Sequence, residues 1–126
     1  MKVGDELPSW ELPITPTFVV SSALATRDFQ DVHHDRDAAQ AAGSKDIFPN
    51  ILTSTALCER YVSEWIGPDV KIRGIALRLG APVYPYETLS FAGEVTDVTD
   101  DVATITITAS APAGNHIIGT VRVTAA

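Results

Sequence analysis

Six titratable side chains crowd into ten residues of this chain: Asp28, Asp31, His33, His34, Asp35 and Asp37. Three chemistries fit such a block. It can be a solvated acidic loop, since runs of charge usually face water. It can hold a metal, because imidazole and carboxylate both ligate divalent ions. That reading lacks a second His or Cys cluster to complete a shell: the third histidine, His116, and the single cysteine, Cys58, lie far off in sequence. No metal is therefore expected. Or the block can hold a general acid/base pair, with a neutral imidazole taking a proton from water and a carboxylate orienting that water. Residue types alone leave the three open.

The neighbouring elements must position the block. Before it, Pro8, Pro13 and Pro16 punctuate a loop-rich start. Thr17 to Thr26 reads as a strand end running into a short helix. After it, Asp37 to Ala42 reads as a short helix stopped by Gly43, with Asp35 as its cap. Residues 49–66 read as one long helix. Pro49 leads in, Asn50 is a good cap type, and Gly67-Pro68 stops it. Ile51, Thr55, Cys58, Val62 and Trp65 recur at helical steps, and Leu52, Ala56 and Leu57 widen the apolar face. A helix apolar over most of its circumference is mostly wrapped by something.

Residues 70–125 read as antiparallel strands with one buried face. Leu89, Phe91 and Val95 alternate with polar neighbours, as do Ile105 with Ile107, and Ile117 with Val121 and Val123. Thr99-Asp100-Asp101 and Pro112 to Asn115 are turn clusters, and a phase change at Gly74 marks a bulge. One long helix followed by about four strands is an α+β pattern. A sheet curled around a central helix satisfies it, and that is the hot-dog fold.

At 126 residues the chain fits a single domain, 1–126. Apolar residues make up 45% and charged residues 20%, ordinary for a globular protein. A net charge of −7 argues against a nucleic-acid partner but not against a small anionic ligand, which a helix start can hold. No apolar run is long enough for a membrane helix. The N-terminus lacks the order of a secretory signal. The chain reads as cytoplasmic and complete.

The block also resembles a known motif. Asp28-Phe29-Gln30-Asp31-Val32-His33-His34-Asp35 is similar to the Asp-x-Asn-Pro-x-His-x-Asp pattern of the MaoC-like (R)-specific enoyl-CoA hydratases. Ala39, Gly43 and Ile47, then Pro49-Asn50-Ile51-Leu52, follow the family's downstream pattern. The resemblance runs over nearly the whole chain, with motif identity confined to Asp28, His33 and Asp35. Gln30 and Asp31 stand where the family has Asn and Pro, and Pro49-Asn50 where it has His-Gly. The variant stretches ATRDFQDVHHDRD and GSKDIFPNILT resemble one subfamily, the small catalytic subunits of bacterial steroid side-chain enoyl-CoA hydratases.

The resemblance implies that Asp28 and His33 activate water for syn addition to an α,β-unsaturated thioester. Which of the two is the base stays open. It implies an oxyanion-binding backbone N–H at Asn50, whose bland reading as a helix cap is compatible with that role. It implies no cofactor, the CoA thioester being the substrate. It also implies a larger MaoC-like partner with a C-terminal zinc-ribbon/OB-type extension, in a heterotetramer acting on a cholesterol-derived enoyl-CoA. A homodimeric hydratase of fatty enoyl-CoA, a hot-dog acyl-CoA thioesterase and a non-catalytic hot-dog subunit are the rivals. Cys58 reads as a core residue, His34 as solvent-side or supporting, and His116 as exposed at a turn. Trp10, Trp65, Tyr84 and Tyr86 read as packing or interface residues.

Overall fold

The structure is a computed structural model that describes residues 1–124; the last strand position expected from sequence, Ala125, lies outside the described residues. Five antiparallel strands form one sheet in the order β1-β3-β4-β5-β2: β1 (Glu6–Pro13), β2 (Lys71–Leu79), β3 (Thr88–Thr99), β4 (Val102–Ala111) and β5 (Gly114–Thr124). Three helices, α1 (Pro16–Ala25), α2 (Arg36–Ala41) and α3 (Ile51–Ile66), precede β2, with a 3₁₀ turn at Asp31–His33.

The alternation in the strands does what its period requires. Leu89, Phe91, Val95, Ile105, Ile107, Ile117, Val121 and Val123 are all buried and meet Leu57, Cys58, Tyr61 and Val62 of α3 in one core. Gly93 makes room for that contact: a Cβ there would lie 3.2 Å from the Tyr61 ring. The Tyr61 hydroxyl donates to the Pro8 carbonyl at 2.7 Å and ties α3 to β1. Burial pushes the Cys58 thiol up to about 11, so it is an inert core residue, as expected. The phase change at Gly74 is a register shift between Ile72 and Gly74. Asp100 and Asp101 both take positive φ in the two-residue turn between β3 and β4.

Two expectations for the N-terminal third give way. The Pro-punctuated start contains the edge strand β1. Its prolines are tolerated because an edge strand needs only one row of ladder bonds, and its pattern is broken by a register shift between Leu7 and Trp10. The segment after it has no strand end. Thr15 caps α1 by accepting from the Phe18 N–H at 3.0 Å, and Pro16 sits in the first turn.

The long helix is as expected, from its Asn50 cap to its Gly67 stop. Its wrapping within one chain is partial. Ile51 and Leu52 in its first turn are 55% and 52% exposed. No helix among the described residues is long and apolar enough to cross a membrane.

Candidate active site

Three local structures deliver the site. Helix α1 ends in a left-handed residue, Arg27 (φ 57). The Arg27 N–H donates to the Leu24 carbonyl at 3.0 Å and the Asp28 N–H to the Ala23 carbonyl at 2.9 Å. This double closure fixes where Asp28 leaves the helix. The 3₁₀ turn then buries His33, which is 5% exposed. Asp35 next caps α2 by accepting from the Ala38 N–H at 3.1 Å, as expected. Gly43 (φ 94) turns the chain out of that helix toward the start of α3.

There the three elements converge. His33 Nδ1 lies 2.6 Å from the Phe48 carbonyl. A carbonyl only accepts, so Nδ1 carries the hydrogen and the neutral ring presents a bare Nε2. That Nε2 lies 3.4 Å from Asp28 Oδ2. Asn50 occupies the remaining corner, and its side chain is fully committed. Its Oδ1 accepts from the Thr53 N–H (3.0 Å) and the Thr53 hydroxyl (2.6 Å), capping α3. Its Nδ2 donates to Thr26 Oγ1 (2.8 Å) and Asp28 Oδ2 (3.1 Å). The Gln30 N–H donates to the other Asp28 oxygen at 3.2 Å. The Asn50 donor and the Gln30 N–H hold the Asp28 carboxyl below the usual carboxylate range, against a smaller opposing push from desolvation; His33 adds to the lowering only when its ring is protonated. Among the described residues no acceptor takes the Asn50 backbone N–H, which stands at the positive end of α3.

Asp28, His33 and Asn50 therefore share one cleft of about 300 Å³, faced by Leu79, Gly80, Val83 and His116. A larger groove of about 490 Å³ is formed by β1, β3 and β4. It is lined by Glu6, Glu94 and threonines and has no imidazole, so proton chemistry near neutrality belongs to the smaller cleft. The other acids of the block scatter. Asp31, His34, Asp35 and Asp37 are exposed, and no cluster among the described residues could hold a metal.

His116 is not exposed, contrary to expectation; it is 5% exposed and lines the cleft. The cause is a bulge. Ala109 pairs with Ile117 but Ser110 pairs with Asn115, leaving His116 as an extra residue on β5. A bulge re-aims a side chain, so His116 and Ile117 are both buried. Of the aromatic residues expected to pack, Trp10 meets Tyr61 and Phe91, while Tyr86 is fully out in solvent. Sequence reasoning missed the Asn50 amide as the group that holds Asp28. The only signal was the Asn50–Thr53 spacing of a helix cap, which marks the cap but not the second partner.

Comparison with known proteins accords with this arrangement. A family model described as "MaoC like domain" matches residues 3–115. The chain is 56% identical, over 95% of its length and 93% of the relative's, to the 3-oxo-4,17-pregnadiene-20-carboxyl-CoA hydratase beta subunit of Mycobacterium tuberculosis. It superposes on a chain of the ChsH1–ChsH2 complex of Mycobacterium tuberculosis with a TM-score of 0.97 and 54% identity, covering 99% of this chain and 98% of that one. The (R)-hydratase from A. caviae, involved in PHA biosynthesis, shares the fold at a TM-score of 0.90 with 18% identity, over 100% and 98% of the two chains. With that fold, that family match and that degree of identity, the chain belongs to the MaoC-like domain family and has its hot-dog architecture.

Proposed function

We propose that this chain is the catalytic subunit of an enoyl-CoA hydratase that adds water across the α,β double bond of a steroid side-chain CoA thioester. One observation carries the reading: the Phe48 carbonyl holds His33 in the tautomer whose Nε2 lone pair faces the Asp28 carboxylate at 3.4 Å. Two acceptors at that spacing suit a shared water that donates one hydrogen to each. The oxygen lone pairs of that water are then free to face the β-carbon.

An imidazole binds a proton more tightly than a carboxylate does, and the Asn50 and Gln30 donors lower Asp28 further. His33 is therefore the base and Asp28 the group that aims the water. As the oxygen bonds to the β-carbon, charge moves onto the thioester oxygen, where the Asn50 N–H receives it. The imidazolium then returns its proton to the α-carbon on the same face. One hydrogen of the water ends on the α-carbon and the other stays in the new hydroxyl. The atoms balance without a cofactor.

The steroidal thioester and a larger MaoC-like partner are supported by the name of the 56% identical hydratase subunit and by the two-protein complex containing the 54% identical chain. Ile51 lies exposed at the cleft with the exposed Leu52 next to it in α3, and the edge strand β2 leaves Ile72, Ile75 and Leu77 half-buried. This apolar surface suits a partner that closes the site. A cytoplasmic reaction is part of the same proposal, supported by the water-soluble nature of a CoA thioester.

The test is loss of the conjugated enoyl-thioester absorbance, measured with a steroid enoyl-CoA and a straight-chain one, with and without the larger subunit. We expect turnover of the steroid thioester by the complex. Turnover of only the straight chain, by this subunit alone, would replace the reading with a homodimeric fatty hydratase. Release of free thiol from a saturated acyl-CoA would replace it with a thioesterase.

A further inference from the structure

We propose that His116 is a positioning residue of the same site, bridging the first turn of α3 to the loop facing it across the cleft and so fixing the seat of the thioester carbonyl. This rests on the hydratase reading above.

His116 uses both ring nitrogens. Nδ1 lies 2.9 Å from the Ala81 carbonyl, so it carries the hydrogen; Nε2 is then bare and takes the Ser54 hydroxyl at 3.0 Å. Burial keeps the ring neutral, with the hydrogen bond to Ala81 opposing in part. A ring with no free nitrogen cannot trade protons with substrate. Ser54 is fully buried and does not line the cleft, so the pair is not a nucleophile with its base either. What the pair can do is hold two walls together.

On one side, Ser54 is a turn after Asn50, and its N–H donates to the Asn50 carbonyl at 3.2 Å. The grip therefore falls on the turn that presents the free Asn50 N–H. On the other side, Gly80 and Ala81 begin the loop whose Gly80, Pro82 and Val83 line the same cleft as Asn50. The Gly80 N–H donates to the His116 carbonyl at 2.9 Å and the Ala81 N–H to the Asn115 carbonyl at 2.8 Å. A Cβ on Gly80 would collide with the Asn115 carbonyl oxygen, so only glycine lets the loop sit this close. Those backbone bonds tie the loop to β5. Among the hydrogen bonds of the described residues, only those of the His116 ring continue the tie to α3. Without it, loop and helix start can shift relative to each other, and misplacement by about 1 Å can cost on the order of a hundredfold in rate.

The test uses the complex with its larger partner and separates kcat from KM for enoyl-CoA hydration. His116→Leu should lower kcat by roughly ten- to a hundredfold with KM changed far less. His116→Gln, which keeps a donor and an acceptor, should recover much of the rate. Ser54→Ala, a one-atom deletion, should lose less than His116→Leu, because the Ala81 bond remains. Adding Ser54→Ala to His116→Leu should cost nothing more, since the two act through one bridge. Full kcat in His116→Leu sinks the inference. So does a loss that only tracks the fraction of complex assembled, or losses of the two variants that multiply. Absence of hydration by the wild-type complex sinks the hydratase reading, and this inference with it.

Discussion

The two walls of the cleft each carry a histidine of equal burial, 5% exposed, with Nδ1 tied to a backbone carbonyl. They differ at the other nitrogen. His33 Nε2 faces a carboxylate, which cannot donate when ionised, so its lone pair stays available. His116 Nε2 faces a hydroxyl, which donates and uses the lone pair up. On the proposed reading, the same tautomer makes a base on one wall and a brace on the other. The difference teaches that burial and tautomer do not define a catalytic histidine; the partner of the second nitrogen does.

The largest expected effect is on the His33 wall. His33→Ala or Asp28→Asn should each lower the hydration rate by about a hundred- to ten-thousandfold, with the assembled complex intact by size-exclusion chromatography. If His33→Ala stays within a few-fold of wild type, the contrast between the walls collapses.

Asn50→Ala comes next, because it releases Asp28 without removing it. The Asn50 donor is the main cause of the low Asp28 pKa, so its loss should move the Asp28 titration upward, readable by carbon NMR of that carboxyl. The same variant removes the α3 cap, which typically costs about 1 kcal/mol and should appear as a lower melting temperature.

The His116 wall should reveal itself in stability against pH. Its pKa in the fold lies below the ordinary value of 6.5, so the unfolded chain binds the proton more readily. The stabilisation is therefore full above about pH 6.5 and is lost as pH falls through the lower folded value. Melting temperatures taken from pH 7 downward should fall in wild type and flatten in His116→Gln. An identical slope in both would show that the ring is not held neutral by the fold.

Cys58→Ala is the smallest expected change and serves as the control within the same helix. The residue is 1% exposed, and its thiol is held up near 11. The substitution should leave the rate unchanged and cost about 1 kcal/mol of stability, by thermal melting.

Much of the scaffold was legible in the chain. The alternation in Leu89–Val98, Val102–Ala109 and Ile117–Val123 gave three strands with their buried faces. The caps Asp35 and Asn50 and the stops Gly43 and Gly67 bounded two helices to within a residue or two. The edge strand β1 was not legible, because its prolines and register shift erase the period-two pattern. The motif resemblance selected Asp28 and His33, but it could not say that the Asn50 amide lies on Asp28.

By itself, then, the sequence determined the local matters: where helices start and stop, which strand faces are apolar, and which short block crowds carboxylates and imidazoles together. These depend on neighbours one to four residues apart, and backbone geometry converts them directly into structure. Only the tertiary structure decided what each buried histidine touches. His33 takes its tautomer from a carbonyl fifteen residues away, and His116 takes its partners from thirty-five and sixty-two residues away. A single-residue bulge turns His116 inward at all. Hydrogen bonds across such separations exist only once the sheet and α3 have packed, so no local pattern in the chain announces them.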